Sequence, residues 1–232
     1  MLRMPVSDYK ASLARLREDL ERICAKAHRS PDSVRTIVVT KTHPVEAVQA
    51  VLDAGVIEIG ENKVQEIVAK MPELKGDPTM HMIGHLQSNK VNKVVPLVSW
   101  IQSVDRESLL EKVDAKCAEL GRTLNILVQV NTSGEESKSG CRPEETLELC
   151  ENAIGKDHVR LRGLMTIGPL EGDEFQTRRS FAKLRRLAED LSKIVVEPEL
   201  SMGMSGDYQW AIEEGSTMIR VGSVIMGRRN YG

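Results

Sequence analysis

Eight short apolar runs punctuate the chain, and a helix-length polar–apolar segment follows each one. The runs are TIVVT (36–40), VIEIG (56–60), MHMIG (80–84), WIQSV (100–104), LNILVQVN (124–131), VRLRGLMTIG (159–168), ELSMGMS (199–205) and TMIRVG (217–222). Most are nearly continuous in Val, Ile, Leu and Met, the pattern of strands buried on both faces in a parallel sheet. Helices are predicted over 44–54, 61–71, 88–97, 105–120, 143–154, 173–193 and 207–214, with an additional one ahead of the first strand at 6–27. Their ends carry stop and start signals: Pro44 at the first position of one, Gly55 and Gly121 after two, and Asp105 as an expected N-cap. Leu13, Leu16, Leu20, Ile23 and Cys24 share one face of the first helix, and Phe181, Leu184, Leu187, Ala188 and Leu191 form a stripe on the seventh.

Strand alternating with helix predicts a parallel α/β sheet. Eight such units predict a closed (β/α)8 TIM-type barrel with an extra N-terminal helix, spanning 1–232 as a single domain. An open doubly wound sheet is the rival architecture. No composition break divides the chain.

Composition removes several functions. The 32 basic and 34 acidic side chains leave a net charge of −2, and aromatics make up only 3%. Neither a basic footprint nor a stacking platform for nucleic acid is present. No run approaches the ~20 apolar residues of a membrane span. The N-terminus is charged from Arg3 onward with no apolar h-region, so a cytoplasmic location is expected. Cys24, Cys117, Cys141 and Cys150 form no C-x-x-C pair and are expected to be reduced. His81 and His85, four apart, belong to no fuller metal-ligand pattern.

In such a barrel, chemistry sits where strands end at their C-terminal side. Lys41 follows the first apolar run directly. An amine at a barrel mouth is partly desolvated, which favours the neutral form that attacks carbonyl carbon. Ser205 and Gly206 follow the seventh run, while Arg220, Gly222 and Ser223 lie in and after the eighth. Loops after strands 7 and 8 of barrels often hold phosphate through backbone N–H groups. An amine facing a phosphate cup suits a phosphorylated aldehyde, whether pyridoxal phosphate or a phosphosugar. His43 and His85 are weaker candidates, and Glu61 and Glu66 read as helix-start or solvated charges.

The segments VVTKTHP, IGENKVQE, HMIGHLQSNK, LVQVN, GLMTIGP, LSMGMSGDYQWAI and IRVGSVIMG occur in that order. Together they resemble the pyridoxal phosphate homeostasis protein family, a small-barrel family related to the N-terminal domain of alanine racemase. The likeness runs from about residue 7 to residue 230. It implies that pyridoxal 5'-phosphate is held as a Schiff base on Lys41, with Asn62 near the ring and Ser205, Gly222 and Ser223 at the phosphate. Arg220 is implied to face either the pyridine nitrogen or the phosphate. The implied role is intracellular cofactor homeostasis, buffering or delivery to pyridoxal phosphate-dependent apoenzymes, by a monomer without established turnover. A racemase-like enzyme on the same Schiff base is the alternative. Racemisation would need a second base, which in alanine racemase comes from another domain and a partner chain; Tyr208 is expected to pack or meet solvent instead. The short tail after Gly227 offers no extra helix.

Overall fold

The computed structural model describes residues 5–135 and 138–227, so the tail beyond Gly227 lies outside the described residues. Helix α1 (Val6–Lys26) comes first. The barrel then runs β1 (Arg35–Val39), α2 (Val45–Asp53), β2 (Glu58–Glu61), α3 (Val64–Lys70), β3 (Thr79–Met82), α4 (Val91–Val94), β4 (Trp100–Val104) and α5 (Glu107–Glu119). It continues β5 (Leu124–Gln129), α6 (Thr146–Ile154), β6 (Val159–Met165), α7 (Glu174–Leu191), β7 (Glu199–Met204), α8 (Tyr208–Glu213), β8 (Met218–Val221) and the short α9 (Ser223–Met226). The strands form a closed barrel in sequence order, and every pairing is parallel. Closure comes from β1 on β8, with Arg35 opposite Met218 and Val38 opposite Val221. The eight-unit reading is therefore the observed architecture, and the open sheet is excluded.

Two apolar layers hold the barrel. The larger lies between β2–β7 and their helices, around residues such as Ile59, Ile101, Leu109, Ile126, Leu164 and Phe181. The smaller joins α1 to the seam where β1 meets β8. There Tyr9, Leu16, Leu20, Ile23 and Cys24 pack with Val38, Val51, Ile212, Ile219 and Val221. Leu13 is only half-buried at the edge of that cluster, and Tyr9, which the stripe omitted, is one of its buried members. Inside the barrel, Ile37, Trp100, Leu127, Met165 and Met218 form a third cluster.

Several local expectations need correction. Asp105 does not cap α5: the N-cap is Arg106 and has no side-chain cap bond, while Asp105 is paired with the Arg106 guanidinium at 2.5 Å. Asp173 does cap α7, accepting from Gln176 N–H in a reciprocal capping box. The 61–71 helix begins only at Val64, because Glu61 completes β2. The 88–97 helix is one α turn flanked by 3-10 turns. The start of β6 is not buried on both faces: Arg160 and Arg162 are exposed, and Arg162 pairs with Glu199. Among the described residues, no helix is long and apolar enough to cross a membrane.

Candidate functional site

The C-terminal ends of the strands open into a cavity of about 590 Å³. That volume falls in the range of small-molecule sites, about 300–1,000 Å³. Lys41, Asn62, Ser205, Arg220, Gly222 and Ser223 all line it. So does His85, the weaker sequence candidate, and Gln129 and Lys138 extend the set beyond the residues singled out from sequence. A larger cleft, about 1130 Å³, lies beside α7 and carries the exposed Arg179, Lys183 and Arg186. Its buried hydroxyls, Thr132 and Ser180, bond each other, and among the described residues no buried titratable group lines it. The smaller cavity therefore has the better claim to chemistry.

Lys41 sits in a two-residue turn after β1, half-buried. A buried ionic network secures both sides of that turn. Lys70 Nζ donates to the carbonyl of Thr40 at 3.0 Å, to Glu61 Oε1 at 2.7 Å and to Glu66 Oε2 at 2.7 Å. Thr40 Oγ1 donates to Glu61 Oε1 at 2.6 Å. Thr42 N–H donates to Glu66 Oε2 at 2.6 Å while Thr42 holds φ = 68°, an unfavourable value for a β-branched residue. Glu61 is thus not a solvated helix-start charge: its side chain is 0% exposed. Burial pushes its carboxyl above the ordinary range, against the pull of Lys70 and Thr40. Glu66 is only partly buried. Burial pushes it up too, but the bonds from Lys70 and Thr42 N–H outweigh that and leave it lowered.

The adjoining wall comes from β7 and β8, with β8 paired directly to β1. Gly222 N–H donates to Ser205 Oγ at 3.1 Å, which joins the two loops. A Cβ on Gly222 would stand 3.3 Å from the Val39 carbonyl oxygen, so glycine keeps the turn into α9 close to β1. Asn62 is held by another close approach: a Cβ on Gly84 would fall 2.2 Å from the Asn62 carbonyl oxygen.

Arg220 is buried. Its Nη1 donates to Ser201 Oγ at 2.6 Å and its Nη2 to the Thr166 carbonyl at 2.8 Å. Burial draws the guanidinium down to about 10, opposed by Asp207. Asp207 accepts Met204 N–H at 2.5 Å and is itself raised by burial. Arg220 therefore remains a cation near neutral pH. It is anchored to β6 and β7, not to the Ser205–Gly222 cup. Gln129 Nε2 donates to the Ser139 carbonyl at 3.1 Å, while its Oε1 is buried without a partner.

His85 Nδ1 lies 3.5 Å from Asp105 Oδ2 and is nearly half exposed. Tyr208 donates to Asp19 Oδ2 at 3.1 Å and packs against the α1 layer, as expected of a packing residue. The four cysteines are free and buried, and no group of three or more potential metal ligands occurs among the described residues.

The arrangement suits an aldehyde with an anionic tail. It presents an amine past the end of β1, the bonded Ser205 and Gly222 turns across the adjoining seam, a buried cation anchored to β6 and β7, and an unsatisfied buried acceptor in Gln129.

Comparison with known proteins bears on this site. Residues 11–230 match the family model of the alanine racemase N-terminal domain. The chain is 37% identical over 222 residues to the pyridoxal phosphate homeostasis protein of Aquifex aeolicus, covering 94% of this chain and 97% of the relative. It is 37% identical to PipY of Synechococcus elongatus, solved with PLP bound, with a TM-score of 0.83 over 94% of this chain and 100% of that one. An alanine racemase of Clostridium difficile, 12% identical, shares the fold with a TM-score of 0.78 over 98% of this chain and 58% of its own. With a family model matched over residues 11–230 and near-complete coverage at this identity, the chain belongs to the pyridoxal phosphate homeostasis protein family.

Proposed function

We propose that this protein binds pyridoxal 5'-phosphate as a Schiff base on Lys41 and buffers or delivers it to apoenzymes that need it, without efficient turnover. The observation that carries the reading is the convergence of Lys41, Asn62, Ser205, Arg220, Gly222 and Ser223 on one cavity at the C-terminal face of the barrel. The relatives named for pyridoxal phosphate homeostasis and the PLP-bound PipY structure support it.

Bound there, the cofactor would supply an electrophilic aldehyde carbon, and Lys41 would be the amine that holds it. The Lys70 network fixes the turn that presents Lys41. Gly222, Ser223 and the Ser205 hydroxyl receive the phosphate, mainly through backbone N–H groups. Asn62, on the cavity wall, would meet the ring. Arg220, anchored away from the cup, is assigned to the ring side. A cation there discourages protonation of the pyridine nitrogen and weakens the ring as an electron sink, whereas enzymes that exploit the sink place an acid at that atom. This favours holding the cofactor over racemising amino acids with it.

Borohydride reduction of the loaded protein followed by peptide mass spectrometry tests the covalent assignment. The label is expected on Lys41 and is expected to vanish in Lys41→Ala. A full-yield label on another lysine overturns it. Amino-acid racemisation by the loaded protein at about 1 s⁻¹ or faster, the ordinary range of enzymes, overturns the carrier reading.

A further inference from the structure

Arg220 is one end of a hydrogen-bonded chain that runs down through the barrel. Ser201 Oγ, which accepts from Arg220 Nη1 at 2.6 Å, donates to Gln102 Oε1 at 2.6 Å. Gln102 Nε2 lies 3.0 Å from His81 Nδ1, and His81 Nε2 lies 2.9 Å from Glu58 Oε2. Ser201, Gln102 and His81 are each 0% exposed. Glu58 is the first residue of β2, at the opposite end of the barrel from the cavity.

The two ends determine every donor between them. A guanidinium can only donate and a carboxylate can only accept. Ser201 must therefore receive from Arg220 and pass its own hydrogen to Gln102 Oε1. That turns the Gln102 amide nitrogen toward His81, whose Nδ1 must be the bare acceptor. The His81 proton then sits on Nε2 and points at Glu58. Flipping the Gln102 amide would force a proton onto Nδ1 and, in a neutral ring, set a lone pair against the Glu58 carboxylate. Burial lowers the His81 imidazole, against the opposing effect of Glu58, which keeps the ring neutral as this chain requires.

The His81–Glu58 end is braced. The His81 ring stacks on Trp100 at 5.4 Å and 15°, and Arg35 lies 5.1 Å over the same indole. Arg35 Nε lies 3.6 Å from Glu58 Oε1, and Arg35 Nη2 lies 3.4 Å from Glu199 Oε1. A barrel interior is ordinarily filled by branched apolar side chains. Placing His, Gln and Ser there costs desolvation that only full hydrogen bonding offsets. Packing alone does not account for such a row; orienting Arg220 does.

We propose that Ser201, Gln102, His81 and Glu58 are positioning residues for Arg220, a one-directional hydrogen-bond chain that fixes the guanidinium in the cofactor cavity from the far end of the barrel. Its consequence for the cofactor rests on the proposed binding reading; the chain itself does not. The test accordingly has two arms.

The first arm uses the unliganded protein. Long-range 1H–15N correlation on 15N-histidine protein reads the His81 tautomer near neutral pH. The expected result is a protonated Nε2 and a bare Nδ1; a protonated Nδ1, as either tautomer or imidazolium, overturns the proposal. This arm decides the chain even if the variants below fail to fold or the protein takes up no cofactor.

The second arm uses Gln102→Met, which replaces the amide by an apolar chain of similar length, and His81→Phe, which preserves the stack on Trp100. Both variants are expected to weaken pyridoxal 5'-phosphate binding by roughly tenfold, the scale of one buried hydrogen bond. They are also expected to shift the absorption maximum of the bound cofactor and to merge the separate Arg220 Nη resonances through faster guanidinium rotation. Folded variants with the wild-type absorption maximum and wild-type Arg220 resonances overturn the proposal. If the wild type takes up no cofactor, it is the binding reading that fails, and the tautomer and Arg220 resonances still judge the chain.

Discussion

Replacing Lys70 by methionine removes the cation on which three acceptors beside Lys41 converge. Thr40 O, Glu61 Oε1 and Glu66 Oε2 each lose a donor, at 3.0, 2.7 and 2.7 Å. Glu66 retains Thr42 N–H and some contact with water, so it contributes little to the loss. Glu61 dominates: its side chain is 0% exposed, and its Oε2 already lacks a partner. Stranding one member of a buried ion pair costs about 3–5 kcal/mol. For a chain of this size that lowers the melting temperature by roughly 6–20 °C. The pH dependence has a definite sign. The Glu61 carboxyl, already raised by burial, rises further without Lys70. A carboxyl raised in the folded state costs nothing below its unfolded value of about 4.3, and its penalty grows as pH climbs from there through the folded value. Lys70→Met is therefore expected to approach wild-type stability at about pH 5 and to diverge from it by about pH 8. Urea titrations of both proteins at the two pH values measure this. A loss below about 1 kcal/mol at the higher pH, or one that deepens on acidification, refutes the reasoning.

Two other outcomes follow from local geometry. Gly84→Ala drives a Cβ to 2.2 Å from the Asn62 carbonyl oxygen and is expected to cost at least the roughly 1–3 kcal/mol of core overpacking, whereas Gly206→Ala, with open space around it, should leave the urea midpoint unchanged. Cys141 and Cys150 are buried, and burial pushes their thiols up to about 11 and about 12, so a thiol reagent at neutral pH should label neither until denaturant is added.

The barrel was legible because its strands announce themselves twice, by Val/Ile/Leu/Met runs and by the helices between them. That Lys41, Ser205, Gly222 and Ser223 stand at the mouth of the barrel was legible for a related reason: polar and glycine residues just past an apolar run mark that end. The supports behind them were not. Glu66 and Lys70 have the i, i+4 spacing of an ordinary surface pair. Only the tertiary placement of Glu61, at the end of a neighbouring strand, turns that pair into a buried network. Gln102 in WIQSV and Ser201 in ELSMGMS read as minor interruptions of apolar strands. Their meaning depends on facing inward at the same level of a closed barrel, and that requires the register of five strands. Asp105 misled for the converse reason: an acidic residue before a helix usually caps it, but here Arg106 engages the carboxylate first.

The seam where β1 meets β8 has a consequence for the order of events in the cell. Lys41 leaves β1, while Gly222 and Ser223 leave β8, so the amine is made well before the turn after β8. A ribosome-bound chain that has not yet released β8 holds the lysine with no cup to face it. On the proposed reading, capture of a phosphorylated aldehyde by both walls begins only once the last strand has docked on the first and α1 has packed across the join. Ligand uptake would then report completed closure, and it would draw closed molecules out of any equilibrium with chains whose final strand is undocked.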